Sequence, residues 1–187
     1  MNAQLPLARI SDDEFERLVG KGAAEVLGRV ELRDGALHRT NAQYVPHMRM
    51  KMTVYDALKA AIASSGLPLE IGSEGTVRYE RGFSPLPDVV VWTPTPTTTS
   101  IPGLAVKLIV EVADTTLADD LGIKRTDYAK AGLPEYWVVD LGARALHRFS
   151  APAADGYARA AVFREGEQVA SETLAGVAIR LAFPVSS

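Results

Sequence analysis

The sequence predicts an α/β domain in which a mixed central sheet is flanked by helices. The segment DVVVW at 88–92 is apolar on both sides, which suits a strand inside a mixed or parallel sheet. A strand, a helix and a second strand are predicted between residues 106 and 141, and this order is typical of a parallel crossover. Short alternating segments with glycine and proline turns follow and predict extra β-strands at the C-terminus, at 145–149, 157–163, 167–173 and 177–183.

The whole-chain composition is that of a soluble globular protein. The 187 residues fit one domain, and 47% of them are hydrophobic and 23% charged. No apolar run approaches the roughly 20 residues of a membrane-spanning helix, so no membrane association is expected. The N-terminus has no secretory-signal pattern, and the lack of cysteine excludes disulfides and Cys-ligated zinc. We therefore expect one cytoplasmic domain, residues 1–187.

The formal net charge of −3 argues against an avid, nonspecific nucleic-acid binder. A local basic surface is compatible with this charge, and ordinary solvated side chains are the alternative for each candidate cluster. The clusters are Arg39, Arg49 and Lys51, then Arg78 and Arg81, then Lys124, Arg125 and Lys130.

The chain is predicted to begin with a short helix and a hairpin. Ser11 and Glu14 form a capping-box pattern, which predicts a helix to about Val19. The segment RVELRDGALH at 29–38 alternates around Asp34-Gly35, a strong two-residue hairpin turn.

A longer helix and several loops are predicted next. Apolar residues at helical spacing predict a helix from about Pro46 or His47 to Ser65. Residues 69–79 are predicted to form a strand pair interrupted by glycines. The segment TPTPTTTSIP at 93–102 is predicted to be a loop, either a mobile surface loop or a flap facing a substrate.

The predicted crossover carries charges where apolar residues are expected. In the strand 106–113, side chains alternate, so Glu111 shares a face with Ile109. Asp88 opens the preceding apolar strand, and consecutive strands are often neighbours, so the two carboxylates can meet at one end of the sheet. The helix predicted over 117–131 places Lys124 within an apolar stripe, where a cation needs a nearby partner such as Glu111.

This constellation fits two interpretations. Asp120 lies one turn before Lys124, and an acid-lysine pair at this spacing is common on helix surfaces. Alternatively, two converging carboxylates make an oxygen-donor site suited to Mg²⁺ or Mn²⁺, which can activate a water against a phosphodiester. In that case Lys124 orients the nucleophile or stabilises the developing charge.

Four stretches of the sequence resemble the Uma-two (Uma2) family of bacterial restriction endonucleases. They are VELRDGALH, VPH at 45–47, LPDVVVW, and IVEVADTTLADDLGIKRTDYAKAGLPEYWVVD, which together run from about residue 30 to 140. The last is the most specific of them. The resemblance implies the PD-(D/E)XK superfamily and a restriction-endonuclease-like fold.

The resemblance also implies roles for individual residues. Asp88 and Glu111 match the metal-binding acids, with the Val112 carbonyl as a further ligand. In many superfamily members the lysine lies two residues after the second acid, but here it matches Lys124 on the following helix. Asp120 matches an acid that orients this lysine.

Two further positions match residues of the family. Tyr128 matches a family tyrosine, for which core packing is the alternative. His47 could contact phosphate or complete the site, and a helix-capping role is equally compatible.

Two departures from the family pattern concern the loops. Asp114-Thr115-Thr116 replaces the usual Ser-Pro-Ser, and could add Asp114 as an acidic ligand. Ala36 replaces a glutamate of the hairpin.

The resulting prediction is an endonuclease that depends on Mg²⁺ or Mn²⁺ and hydrolyses DNA phosphodiester bonds with an activated water. A homodimer would supply two sites for two strands. The first alternative is a nuclease fold that serves as a binding or regulatory module without cleavage. A hydrolase of small phosphodiesters is the other alternative.

Overall fold

The structure, a computed structural model, describes residues 9–22, 27–39, 44–96 and 99–184. Its helices are α1 (Asp12–Gly20), α2 (Val45–Ser65), α3 (Leu117–Asp119) and α4 (Arg125–Lys130), with a 3₁₀ turn at Gly103–Ala105 and a π-helical turn at Asp120–Lys124. Its strands are β1 (Val30–Arg33), β2 (Ala36–Arg39), β3 (Glu70–Gly72), β4 (Val77–Arg78), β5 (Val89–Trp92), β6 (Ile101–Pro102), β7 (Val106–Ala113), β8 (Glu135–Asp140), β9 (Ala145–Ala153), β10 (Gly156–Arg164), β11 (Gln168–Ala170) and β12 (Ala178–Arg180).

A six-stranded mixed sheet forms the centre of the fold, in the order β10-β9-β8-β7-β5-β3. Only the β7–β8 pair in it is parallel, and the chain between these two strands passes through α3 and α4. The other four pairs are antiparallel. The predicted mixed sheet and the predicted crossover are therefore confirmed, and two of the C-terminal strands, β9 and β10, extend the sheet.

Helix α2 covers one face of the sheet. Four of its side chains belong to the core on that face: Met50, Val54, Leu58 and Ile62. Burying an apolar side chain of this size stabilises a fold by about 1.5 to 3 kcal/mol, so this stripe fixes the helix against β5 and β7. The helix ends at Gly66, whose φ of 70° is the left-handed conformation that glycine adopts without strain. The predicted helix is thus confirmed to within two residues at its start.

The other face of the sheet carries an aromatic core. Tyr128 of α4 packs on Tyr136 of β8, with ring centroids 4.9 Å apart. Ile109 and Ala113 of β7 belong to this cluster, whereas Leu108, Val110 and Val112 face α2. The predicted alternation along β7 is therefore confirmed, and Glu111 points to the aromatic side.

The N-terminal elements form as predicted. The Ser11 hydroxyl accepts the Glu14 backbone N–H, and the Glu14 carboxylate accepts the Ser11 N–H at 2.8 Å, which completes the capping box of α1. Asp34 and Gly35 have φ values of 49° and 72°, as the hairpin turn between β1 and β2 requires. Backbone hydrogen bonds between Leu32 and Ser84 dock this hairpin beside the segment that leads into β5.

Two predicted segments pair differently from expectation. The strands within 69–79 do not pair with each other, because β3 joins β5 and β4 joins β6. Glu74, at a φ of 59°, lies in the turn that separates them. The segment at 93–102 ends in β6, because the Ile101 N–H donates to the Thr76 carbonyl. Residues 97 and 98 of the predicted loop lie outside the described residues.

The predicted regular helix at 117–131 is wrong in its middle. Asp120–Lys124 forms a π-helical turn between α3 and α4. The Tyr136 hydroxyl donates to the Asp120 carbonyl at 3.2 Å, which satisfies that carbonyl from outside the helix. Such turns widen a helix and occur often at functional sites.

Glu135 attaches the C-terminal segment to the sheet. It is fully buried at the start of β8, and its carboxylate accepts hydrogen bonds from the Trp137 indole at 2.7 Å and the Ser171 hydroxyl at 2.6 Å. It also accepts the backbone N–H groups of Glu172 and Thr173 and the Thr173 hydroxyl. A buried carboxylate is stable when its oxygens are satisfied in this way.

Among the described residues, the helices lack the combination of length and apolar character that crossing a membrane would require.

Candidate active site

A polar cleft of about 420 Å³ opens at the end of the sheet where β5 begins and β7 ends. The hairpin β1–β2 and the start of α2 form one side, and the turn after β7 with the π-helical turn forms the other. Its lining residues are Arg29, Glu31, Arg33, His38, Arg39, Tyr44, His47, Leu86, Asp88, Glu111, Val112, Asp114, Thr115, Thr116, Asp119, Asp120 and Lys124. The cleft therefore brings together seven of the eight residues to which the sequence assigned a role at the site: Asp88, Glu111, Val112, Lys124, Asp120, His47 and Asp114.

Asp88 is held at the base of this cleft. It immediately precedes β5 and is 5% exposed. Its Oδ2 accepts the Val112 N–H at 2.9 Å and lies 3.1 Å from His47 Nε2. Burial alone would raise the pKa of Asp88, but the contacts with His47 and Val112 outweigh it and hold the pKa below its usual value.

Glu111 lies beside Asp88 because of the strand register. Val89 pairs with Val110, so the residues just before and just after this pair are neighbours across the strands. Glu111 is 5% exposed. Burial raises the pKa of Glu111 to about 8; Lys124 acts in the opposite direction, and the nearby carboxylate of Asp88 adds to the rise.

Lys124 makes the contact that its position in the sequence predicted. Its Nζ lies 3.3 Å from Glu111 Oε1 and 3.0 Å from Asp120 Oδ1. Burial alone would lower the pKa of Lys124, but Glu111 and Asp120 outweigh it, so the pKa lies above its ordinary value and the amine stays protonated. The sequence offered two interpretations of Lys124, a pair with Asp120 and a cation that needs Glu111 as a partner. Both contacts are present, in one buried cluster.

Tyr128 both packs in the core and contacts the site, the two alternatives that the sequence left open for it. Its ring is fully buried in the aromatic core, and its hydroxyl donates to Glu111 Oε1 at 3.0 Å. Tyr128 therefore fixes the carboxylate while it packs, although it does not line the cleft itself.

His47 contacts Asp88 and does not cap a helix. The N-cap of α2 is Tyr44, and no side chain bonds to the backbone there. The buried His47 Nδ1 has no hydrogen-bond partner among the residues that the structure describes. The imidazole therefore orients Asp88 through Nε2.

Sequence reasoning assigned no role to several residues that line the cleft, among them Glu31 and Thr116. Glu31 on β1 is 8% exposed and accepts from Arg33 at 2.8 Å. It occupies the polar side of an alternating hairpin, a pattern that ordinarily indicates solvent exposure, so no sequence signal distinguished it. Thr116 donates from its hydroxyl to Asp120 Oδ2 at 2.6 Å. The unusual turn at 114–116 therefore holds the acid that contacts Lys124.

The donor set fits a hard cation that keeps part of its water shell. Among the described residues, no group of three or more His, Cys, Asp or Glu side chains is arranged to hold a metal ion. Mg²⁺ needs no such group, because it is commonly bound by one or two carboxylates with waters and substrate phosphates. Among the same residues, both hydrogen bonds to Glu111 end on Oε1. Asp88 and Glu111 could thus hold such an ion, whereas ligation by the Val112 carbonyl stays a prediction.

The stability of the metal-free protein is expected to depend on pH through Glu111. The folded-state pKa of about 8 lies above the ordinary value of 4.5, so the folded state binds more protons between these values. This stabilisation is fully present below pH 4.5 and is lost as the pH rises through about 8. The unfolding free energy of the wild type, relative to Glu111→Gln, should therefore fall from about pH 6 to about pH 9. Urea denaturation in EDTA measures both values, and an unchanged difference would contradict the prediction.

Comparisons with known proteins agree with the resemblance seen in the sequence. A crystal structure described as "a putative nuclease belonging to DUF820", from Anabaena variabilis ATCC 29413, superimposes with a TM-score of 0.65. The match has 16% sequence identity and covers 89% of this chain and 91% of that one, so it shows a shared fold. The comparison with curated proteins found no match. The family model described as "Uma2: Putative restriction endonuclease" matches residues 12–183, and the chain therefore belongs to the Uma2 family.

Proposed function

We propose that this protein is an endonuclease that depends on Mg²⁺ or Mn²⁺ and hydrolyses phosphodiester bonds of DNA. The observation that carries the proposal is the buried contact between Lys124 and Glu111, beside Asp88, within a polar cleft. Membership of the Uma2 family supports the same conclusion.

In this proposal, Asp88 and Glu111 would hold the cation, and the Val112 carbonyl would be a further ligand. The bound cation would lower the pKa of a water and neutralise charge on the phosphate. His47 and Tyr128 keep the two carboxylates in position through the contacts described above.

Lys124 provides a fixed positive charge where negative charge develops on the phosphoryl oxygens. Asp120 and Thr116 keep its amine directed at the cleft. The attacking water transfers a proton to solvent as its oxygen bonds to phosphorus, the bond from phosphorus to the leaving sugar oxygen breaks, and that oxygen takes up a proton from solvent.

The first experiment measures metal-dependent cleavage and metal binding together. The wild type should cut plasmid or oligonucleotide DNA in Mg²⁺ or Mn²⁺ and not in EDTA. The same ions should raise its melting temperature, and Asp88→Asn should lose both effects because it removes a carboxylate ligand. Cleavage that persists in EDTA, or in Asp88→Asn, would contradict the proposal.

A binding or regulatory module without cleavage is the second candidate. It is favoured by the acidic net charge and by the altered turn at Asp114-Thr115-Thr116. A rise in melting temperature with Mn²⁺, without cleavage of DNA, RNA or simple phosphodiesters, would support this candidate instead. Activity on simple phosphodiesters alone would point to a small-molecule hydrolase.

A further inference from the structure

An exposed aromatic side chain stands at the mouth of the cleft. Tyr44 is 68% exposed, lines the cleft and occupies the N-cap of α2. Serine, threonine, aspartate and asparagine are preferred at this position because their side chains accept backbone N–H groups, whereas Tyr44 makes no such bond. Tyr44 therefore contributes neither to the cap nor to the core, and its ring remains available to a ligand.

Two exposed basic side chains, Arg39 and His38, lie at the same mouth on β2. Neither makes a hydrogen bond or ion pair with another residue in the described part of the chain. Other cations of the cleft are engaged by carboxylates, since Arg33 contacts Glu31 and Lys124 contacts Glu111. Among the described residues, Arg39 is thus an arginine of this wall whose charge is available to a phosphate.

The dimensions of the cleft restrict what can enter it. Its volume of about 420 Å³ is that of a small-molecule pocket, which typically spans about 300 to 1,000 Å³. Asp88 and Glu111 lie at its base and are almost fully buried. Because both carboxylates are almost fully buried, a phosphate must enter the cleft to reach them, and an unpaired strand, whose bases are free to turn outward, enters more readily than a paired duplex.

We propose that the mouth of the cleft binds an unpaired nucleic-acid strand, with Tyr44 stacked on a base and Arg39 on a neighbouring phosphate. Proteins that bind single strands usually combine aromatic rings, on which the bases stack, with cations that contact the backbone phosphates. This inference rests on the proposed nuclease function and names its substrate class as unpaired strands, such as single-stranded tails, loops or bulges.

The test measures binding without cleavage. Fluorescence anisotropy in Ca²⁺ compares labelled single-stranded DNA, single-stranded RNA of the same sequence and duplex DNA, each about 12 nucleotides long, within the range of known single-strand site sizes. The single strands should bind at least about tenfold more tightly than the duplex, and the DNA and RNA arms identify which strand is preferred. Duplex binding of equal or greater strength, or no binding of any strand, would overturn the inference.

Variants of Tyr44 test the stacking contact. Tyr44→Ala should weaken single-strand binding by about 5- to 150-fold, the loss that removal of a base-aromatic stack causes. Tyr44→Phe should bind as the wild type does, and Tyr44→Leu should bind like Tyr44→Ala. Met48→Ala is the matched control, because Met48 is 48% exposed one turn along α2 and does not line the cleft. Equal affinities of Tyr44→Ala and Met48→Ala would overturn the inference.

A variant of Arg39 tests the phosphate contact. Arg39→Gln should reduce the slope of log affinity against log salt by about 0.7, the value for one phosphate of a single strand. Arg159→Gln, at an exposed arginine outside the cleft, should leave the slope unchanged. An unchanged slope in Arg39→Gln would contradict the assigned contact.

The inference and the proposed function can fail separately. Duplex cleavage by the wild type and by Tyr44→Ala at equal rates would leave the nuclease in place and overturn the inference. Single-strand binding through Tyr44 without cleavage would support the inference and contradict the proposed nuclease function.

Discussion

Replacing Lys124 by methionine is expected to lower the rate of DNA cleavage by about 10² to 10³-fold and to leave divalent metal binding in place. The amine lies 3.3 Å from Glu111 and 3.0 Å from Asp120, and it is not a candidate ligand. Its removal takes away a positive charge that stabilises the negative charge of the transition state, while the carboxylates of Asp88 and Glu111 remain. Rates at saturating Mg²⁺ and melting temperatures with and without Mn²⁺ measure the two properties.

Companion variants separate this role from others. Glu111→Gln should lose both cleavage and the metal-induced rise in melting temperature, because it removes a carboxylate ligand. Lys124→Arg keeps a positive charge and shows whether a loss in Lys124→Met comes from unfolding around unpaired carboxylates. Lys130→Met, at an exposed lysine of α4, is the control and should cleave normally. Normal cleavage by both Lys124→Met and Glu111→Gln would remove this cleft from the mechanism.

Replacing Glu135 by alanine is expected to lower the unfolding free energy by about 3 to 5 kcal/mol, because each buried donor left unsatisfied costs about 1 to 3 kcal/mol. The carboxylate accepts donors from Trp137, Ser171, Glu172 and Thr173. Alanine would leave several of these donors unsatisfied away from water. Urea denaturation followed by circular dichroism measures the change.

Two other variants calibrate this loss. Glu135→Gln keeps an acceptor oxygen but turns an amide N–H₂ toward donors, so its stability should lie between those of the wild type and the alanine variant. Glu165→Ala removes an exposed carboxylate that pairs with Arg144, and it should change stability only slightly, because water and salt screen exposed ion pairs. A loss in Glu135→Ala no larger than in Glu165→Ala would show that the C-terminal segment is held by other contacts.

Local sequence patterns identified some residues of the cleft and not others. Glu111 and Lys124 were identifiable because each interrupts an apolar pattern, and burying an unpaired charge is costly. Glu31 gave no such signal, because an acid on the polar side of a hairpin normally faces water. Glu135 lies in a recognisable stretch, yet its sequence context does not distinguish an anchoring carboxylate from a catalytic one. That distinction comes from residues 171–173, which are distant in the chain.

Other differences also have physical reasons in long-range contacts. A hydrogen bond from the Tyr136 hydroxyl to the Asp120 carbonyl accompanies the π-helical turn, and no periodicity within 117–131 encodes this contact. β3 and β4 do not pair with each other, because β3 pairs with β5 and β4 pairs with β6.

By itself, the sequence determined the α/β class, the main helices, the hairpin turn and the alternation that turns Glu111 away from α2. These features arise from backbone preferences and burial patterns within short segments. The sequence predicted that Asp88 and Glu111 could meet if their strands were neighbours, and the tertiary structure established that pairing. The tertiary structure alone showed that Thr116 holds Asp120. It also decided that Glu31 enters the cleft and that Tyr44 and Arg39 stand at its mouth. Strand register and docking set these distances, and they depend on packing between segments that are far apart in the chain.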